Sequence, residues 1–339
     1  MPLVTPNVFT QTENESFADV MRFEGAPDNV RITHIVHPYV DRTVPLNNHV
    51  QEVTFETMRR ASAIAASQVR IRHVGVTLPG ETDLVPADFV TAEPLSRTVG
   101  DIASFAHPRN LPLLFDILDR GIAIPEEPNS GASYADYIVY TNSDIHLQPT
   151  FYQAVVKLIA LGYDAITINR RTISQYDASI AELPFMCADL GSAHPGYDCF
   201  VFRRELYGKF VKSGCCVGAP GVMCCLLVNL AALSPRLLML KGAHLTFHVG
   251  NDKYWQDPRF EDYRKFNLDQ SVAVVSALAK DASIAEKLLA FLTVNREEQE
   301  LMQAAERAMG RTASISLIAM RTAKKILRPI RRRLRRMLK

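Results

Sequence analysis

The stretch "DYIVYTNSDIHLQPTFYQAVVKLIALGYDAITINRR", residues 136–171, restricts the possible folds more than any other part of the chain. Ile138, Val139 and Tyr140 form a short apolar run suited to a buried strand. Pro149 stands where a helix can begin, apolar residues recur at helical spacing beyond it, and Gly162 marks the stop. "YDAITINRR" then reads as a second buried strand. Strand, helix and strand in succession imply a largely parallel sheet with helices on its faces.

The alternation extends in both directions. Residues 30–40 and 69–80 read as strands and residues 49–68 as a helix. Residues 93–106 and 111–122 read as helices, with Gly121 as a C-cap. Residues 198–206 give a further strand, and residues 237–250 give one more or two short ones. "VMCCLLVNLAAL" (222–233) is too short to span a bilayer and contains Asn229, so a buried helix is expected. From about residue 267 only helical patterns remain. The expected architecture is α/β, Rossmann-like, with a mostly parallel sheet flanked by helices and a C-terminal helical extension. Residues 1–28 would be a loose arm, 29–265 the α/β domain, 266–310 the extension and 311–339 a basic tail.

Composition narrows the class. At 47% hydrophobic and 22% charged residues the chain matches a soluble globular protein, and disorder is excluded. Residues 321–339 hold ten Lys or Arg and no Asp or Glu, leaving 28 basic against 36 acidic residues elsewhere. An acidic body disfavours nucleic acid as a partner. In residues 311–339 an apolar stripe runs through the basic residues, a pattern suited to an anionic membrane surface. The six cysteines lack C-x-x-C spacing and are expected as reduced thiols, with a zinc site as the minor alternative. No signal peptide is legible, so the expected location is cytoplasmic, peripheral at the inner face of the membrane.

Ligands of open parallel sheets bind beyond the carboxyl ends of the strands. Thr33 and His37, Thr77, Asn142 and Asp144, Asn169 to Arg171, and His248 fall in or after such strands. No P-loop, G-x-G-x-x-G or G-x-S-x-G sequence is present. A nucleotide site without a glycine loop must handle diphosphate by other means, and a carboxylate-bound divalent cation is one.

Three segments carry a resemblance. "ADYIVYTNSDIHLQPTFY" resembles the metal-binding segment of GT-A-fold nucleotide-sugar glycosyltransferases, in which an apolar strand ends in Asp-x-Asp. "HPGYDCFVFRREL" (194–206) is similar to their segment with an acidic residue facing the acceptor, and "GAHLTFHVGNDKYW" (242–255) to the one whose late His completes the metal site. The likeness covers roughly residues 29–260. It implies a GT-A-like fold and transfer of a sugar from a nucleoside diphosphate sugar to a glycan or lipid-linked acceptor. It implies Asp198 as the base with His194 as competitor, and Mn²⁺ or Mg²⁺ held by Asp144, His248 and Asn142. Thr33, His37, Thr77, Arg97, Asn142, Asp144 and Lys253 would bind the nucleotide sugar. The departure is Asn142, which stands where the first aspartate belongs and offers only a neutral oxygen. Plainer roles compete: a turn aspartate at Asp144 or Asp198, a surface salt bridge at Arg97, a solvated Lys253. A non-catalytic nucleotide-sugar or glycan binder at the membrane is the alternative. A sugar-phosphate nucleotidyltransferase ranks lower, because "THIVHPYVDRTVP" lacks the expected glycine-rich signature.

Overall fold

A computed structural model of the chain describes residues 8–11, 29–40, 46–125, 134–177, 179–250, 257–295 and 303–309. Its strands are β1 (Val8–Gln11), β2 (Val30–Val36), β3 (Arg70–Gly75), β4 (Val90–Thr91), β5 (Ala135–Thr141), β6 (His146–Leu147), β7 (Ala165–Ile173), β8 (Ser192–Arg203), β9 (Leu237–Leu240) and β10 (Thr246–Val249). Its helices are α1 (Leu46–Ala65), α2 (Leu114–Ala123), α3 (Phe151–Ala160), α4 (Leu183–Ala188), α5 (Arg204–Tyr207), α6 (Val222–Leu233), α7 (Glu261–Leu278) and α8 (Ala282–Val294).

The strands join in the order β1-β9-β7-β8-β5-β2-β3-β4, with β10 beside β7 and β6 beside β10. β5, β2, β3 and β4 run parallel, as do β7, β9 and β1. β8 lies between the two groups and is antiparallel to both β5 and β7. A mostly parallel sheet flanked by helices, the α/β architecture expected from the sequence, is what the chain forms.

Alternate residues of each strand point to opposite faces, and both faces are covered. Tyr137 and Val139 of β5 pack with Met58 of α1 and Val155 of α3. Ile138 and Tyr140 pack on the other face with Phe115 of α2, Leu226 of α6 and Val274 of α7. Leu288 and Phe291 of α8 belong to that same core, so the late helices close one face of the sheet.

Four local expectations change. Residues 93–106 do not form a helix: the Leu95 amide donates to the Thr77 carbonyl, and only one 3-10 turn, Val99–Asp101, forms. Pro94 and Gly100 both oppose a continuous helix there. Gly121 is not a C-cap but lies within α2, where a Cβ would come 2.6 Å from Ile35 Cδ1 of β2. Part of the supposed arm is the edge strand β1, ordered by its pairing with β9 rather than by any period of its own. The late helical region begins at Glu261. As expected, α6 is buried, and Gly162 takes the left-handed backbone (φ +87°) that ends α3.

Asn229 is the one side-chain amide inside α6. It accepts from the Val211 amide (2.7 Å) and donates to the carbonyls of Val211 (3.0 Å) and Cys225 (2.8 Å). It therefore ties the loop before the helix to the helix itself. Asn229→Leu would strand the Val211 amide and carbonyl, each worth about 1–3 kcal/mol when buried unmet. Denaturant unfolding should show a loss of about 2–4 kcal/mol with an unchanged m-value.

Candidate functional site

The unusual polar groups collect at the carboxyl edge of the sheet, where β5, β7 and β10 end and antiparallel β8 begins. Beyond β5 the Ile145 amide donates to the Asn142 carbonyl at 3.2 Å, closing a turn with Ser143 and Asp144 at its corners. Asparagine is favoured at the first position of such a turn. The turn leads into β6, which pairs with β10, and Asp144 Oδ2 then lies 3.4 Å from His248 Nε2. The other ring nitrogen of His248, Nδ1, donates to the Gly250 carbonyl at 3.1 Å. With an acceptor opposite each nitrogen, the charged imidazolium fits best.

Burial opposes the charge on both partners. For Asp144, the hydrogen bond from His248 and the charges of His248 and Arg170 outweigh burial and hold the carboxyl at about 2. For His248, burial is outweighed by the hydrogen bond and charge of Asp144, and its pKa is raised.

The second carboxylate is presented by a β-bulge. Ile168 of β7 faces Cys199 of β8, but the next residue, Asn169, faces Tyr197. Asp198 is thus the extra residue, and a bulge re-aims its side chain. Its Oδ1 meets Arg170 Nη1 at 3.1 Å, with only 11% of each side chain exposed. Several atoms around it are shut off from solvent yet lack a hydrogen-bond partner: Asp198 Oδ2, Arg170 Nε, Asp144 Oδ1, Ser143 Oγ, His146 Nε2 and Asn169 Oδ1. Buried polar atoms are nearly always satisfied, so this concentration marks a place where a polar ligand completes the structure.

His194 Nδ1 accepts a hydrogen bond from the Gly196 amide (3.0 Å) and lies 3.8 Å from Asp198 Oδ2. That lone pair is therefore occupied. Burial and the Arg170 charge lower the ring's pKa. Asp198, with a free oxygen, is the better proton acceptor of the two. A Cβ at position 196 would sit 2.8 Å from His194 Cε1, so any larger residue there would displace the His194 ring.

The other expected residues separate. His37 and Thr77 follow the adjacent parallel strands β2 and β3 and share the carboxyl edge. His37 Nδ1 donates to the Val76 carbonyl (2.7 Å), and burial pushes its pKa down to about 4, so the ring is neutral. The Thr77 hydroxyl is buried without a partner. Thr33 lies mid-strand and accepts from Arg72 at 3.3 Å, away from the edge. The fork of Arg97 is filled by Asp116 at 2.7 and 2.9 Å, the surface salt bridge. Lys253, Trp255 and the tail 311–339 lie outside the described residues. Sequence reasoning placed Arg170 among the polar strand ends but gave it no role, whereas it lies within β7, and passed over His146, which lies in the first motif-bearing segment.

The residues expected to hold a divalent cation are engaged with protein partners. Asp144 faces His248 as an ion pair, and the Asn142 amide oxygen accepts from the Tyr140 hydroxyl at 3.4 Å. Arg170 acts on both members of the pair as a fixed positive charge. Among the described residues no three His, Cys, Asp or Glu side chains converge to hold an ion, and the described cysteines are free thiols.

No family model and no curated protein matches the chain. Solved structures with some likeness include TarS of S. aureus in complex with UDP-GlcNAc, 9% identical over 86% of this chain and 88% of that one, TM-score 0.41. Another is the inositol-1-phosphate CTP transferase of T. maritima, 10% identical over 72% of this chain and 98% of that one, TM-score 0.32. A third is 4-diphosphocytidyl-2C-methyl-D-erythritol synthase of Anaerococcus prevotii, 10% identical over 70% and 99%, TM-score 0.33. Likenesses this remote leave substrate and reaction to be argued from the residues.

The Asp144–His248 pair has a defined pH signature. Asp144 is depressed from 3.8 to about 2, so its contribution to stability is present above 3.8 and lost as pH falls toward 2. His248 is raised above 6.5, so its contribution is complete below 6.5 and lost as pH rises through the raised value. The stability difference between wild type and Asp144→Asn, from urea unfolding across pH, should be largest between about 4 and 6.5 and shrink on both sides.

Proposed function

We propose that this protein is a GT-A-type glycosyltransferase that takes a nucleoside diphosphate sugar at the carboxyl edge of its sheet and transfers the sugar to a glycan or lipid-linked hydroxyl. One observation carries the reading. Two ion pairs on four separate segments, Asp144–His248 and Arg170–Asp198, meet at the strand ends amid buried polar atoms that lack partners.

The roles follow from donor and acceptor character. The nucleoside lies over the ends of β2 and β3, where neutral His37 and the unmet Thr77 hydroxyl supply polar contacts. Asp144 Oδ1 and Ser143 Oγ, both without partners, accept from hydroxyls of the ribose or donor sugar. The charged His248 and Arg170 face the phosphates. Asp198 Oδ2 takes the proton of the acceptor hydroxyl as its oxygen bonds to the anomeric carbon and the nucleoside diphosphate departs with the bonding electron pair. The acceptor's place at a membrane rests on the sequence of residues 311–339 alone. Among the described residues no helix is long and apolar enough to cross a membrane.

A thermal-shift screen of nucleoside diphosphate sugars tests the reading, because a ligand at 100 times its Kd adds about 2.7 kcal/mol to native stability. At least one such sugar should raise Tm by several degrees, and Asp144→Ala should abolish the rise. Using that donor, Asp198→Asn should lower turnover by about 10²–10⁴-fold, the usual scale for losing a general base. Donor affinity should not fall, since the lost interaction belongs to the transition state and the positive charge beside Asp198 is no longer offset. A flat screen, or an Asp198→Asn protein with undiminished turnover, contradicts the proposal.

A further inference from the structure

Among the described residues no three His, Cys, Asp or Glu side chains gather to hold the expected cation, yet a departing nucleoside diphosphate needs positive charge beside it. Arg170 is placed to supply that charge. It lies within β7, three residues before that strand ends, its side chain is 11% exposed, and its Nη1 lies 3.1 Å from Asp198 Oδ1. Its Nε–H is buried and donates to nothing. A guanidinium presents five donors in a planar fork, so one edge can hold a carboxylate while another meets an anion. Its field already reaches across the crevice, acting on Asp144, His248 and His194 together.

We propose that Arg170 is the resident cation of this site, binding the donor diphosphate through its free edge, and that donor binding and transfer need no divalent metal. The inference rests on the glycosyltransferase reading above and refines it. It also explains Asn142: with the positive charge supplied by a side chain, a second carboxylate beside Asp144 would only repel the diphosphate.

The Arg170–Asp198 contact joins the two ends of the reaction. Before transfer the carboxylate of Asp198 neutralises much of the guanidinium charge. As the acceptor oxygen bonds to the anomeric carbon, its proton passes to Asp198 Oδ2, and the bond from that carbon to the β-phosphate oxygen breaks with its electron pair on the diphosphate. Asp198 is then neutral, and the charge of Arg170 acts undiluted on the oxygen that has just become negative. No co-reactant is needed, and the proton and electron pair are both accounted for.

The test uses the full-length protein and a panel of UDP, GDP, CDP, ADP and dTDP, titrated calorimetrically in EDTA and again in MnCl₂. If none binds in either buffer, the glycosyltransferase reading itself fails. If one binds in EDTA with a Kd within about threefold of its value in Mn²⁺, the metal-independent site is supported, since losing a charged ligand would cost far more. If binding appears only with Mn²⁺, the Arg170 assignment is overturned while the glycosyltransferase reading stands. Arg170→Gln should weaken binding in EDTA by roughly 10–100-fold, the scale of a charge-assisted hydrogen bond. Undiminished binding by that variant overturns the assignment. Because Arg170 is paired with buried Asp198, Arg170→Lys is measured in parallel. It keeps the charge and should retain more affinity in EDTA than the glutamine variant, with impaired donor turnover because the planar fork is gone. Mn²⁺ electron paramagnetic resonance gives an activity-free check: stoichiometric protein should not diminish the free-ion signal, and a signal lowered by protein alone overturns the assignment.

Discussion

The crevice depends on the direction of β8. A parallel sheet presents only strand ends at its carboxyl edge. Because β8 is antiparallel to both β5 and β7, its beginning reaches that edge as well. Asp198 therefore meets Arg170 in the last half of β7, close to the turn that follows β5. The bulge completes the arrangement: a regular ladder would set Asp198 opposite Asn169, whereas the slip leaves it free to face Arg170.

The crevice is close to charge-balanced before any ligand arrives. Each carboxylate has its own cation, Asp144 with His248 and Asp198 with Arg170. Buried pairs of this kind contribute little net stability, but removing one partner leaves a costly lone charge. They therefore preserve geometry more than they stabilise the fold. Two carboxylate oxygens, a serine hydroxyl and a guanidinium N–H there are buried without partners. Preorganised groups of this kind need no rearrangement at the moment of reaction.

The layered architecture was legible because both faces of the sheet are buried, so the strands appear as apolar runs separated by helical spacing. Ile138 and Tyr140 announced β5 by composition alone, and Asn229 correctly marked α6 as a buried helix rather than a membrane span. What stayed hidden depends on distant partners. β1 is four residues long and exists through β9. Gly121 answers to Ile35 across the core, not to the end of its own helix. The stretch 93–106 has helical spacing, but Pro94 and Gly100 interrupt it and the Leu95 amide is taken up by the Thr77 carbonyl. Within the site, strand ends located Asp144 and His248 correctly relative to the sheet, whereas Asp198, expected to open a strand, lies in the middle of β8. Arg170 was visible as a residue and silent as a function, because a register slip leaves no trace in sequence spacing. Thr33 lies mid-strand with Arg72, and Arg97 is held by Asp116, pairings that only the tertiary fold supplies.

The central claim is that a nucleoside diphosphate sugar occupies the edge where β2, β5, β7, β8 and β10 converge. Ring-nitrogen NMR of the histidines reports on it directly, because the nine histidines sample different depths of the molecule. On titration with the sugar nucleotide that binds, the signals of His37, His194 and His248 should shift together. Those of His34 and His73, held mid-sheet by Tyr152, should stay in place. Shifts confined to other histidines, with His194 and His248 unmoved, would contradict the account.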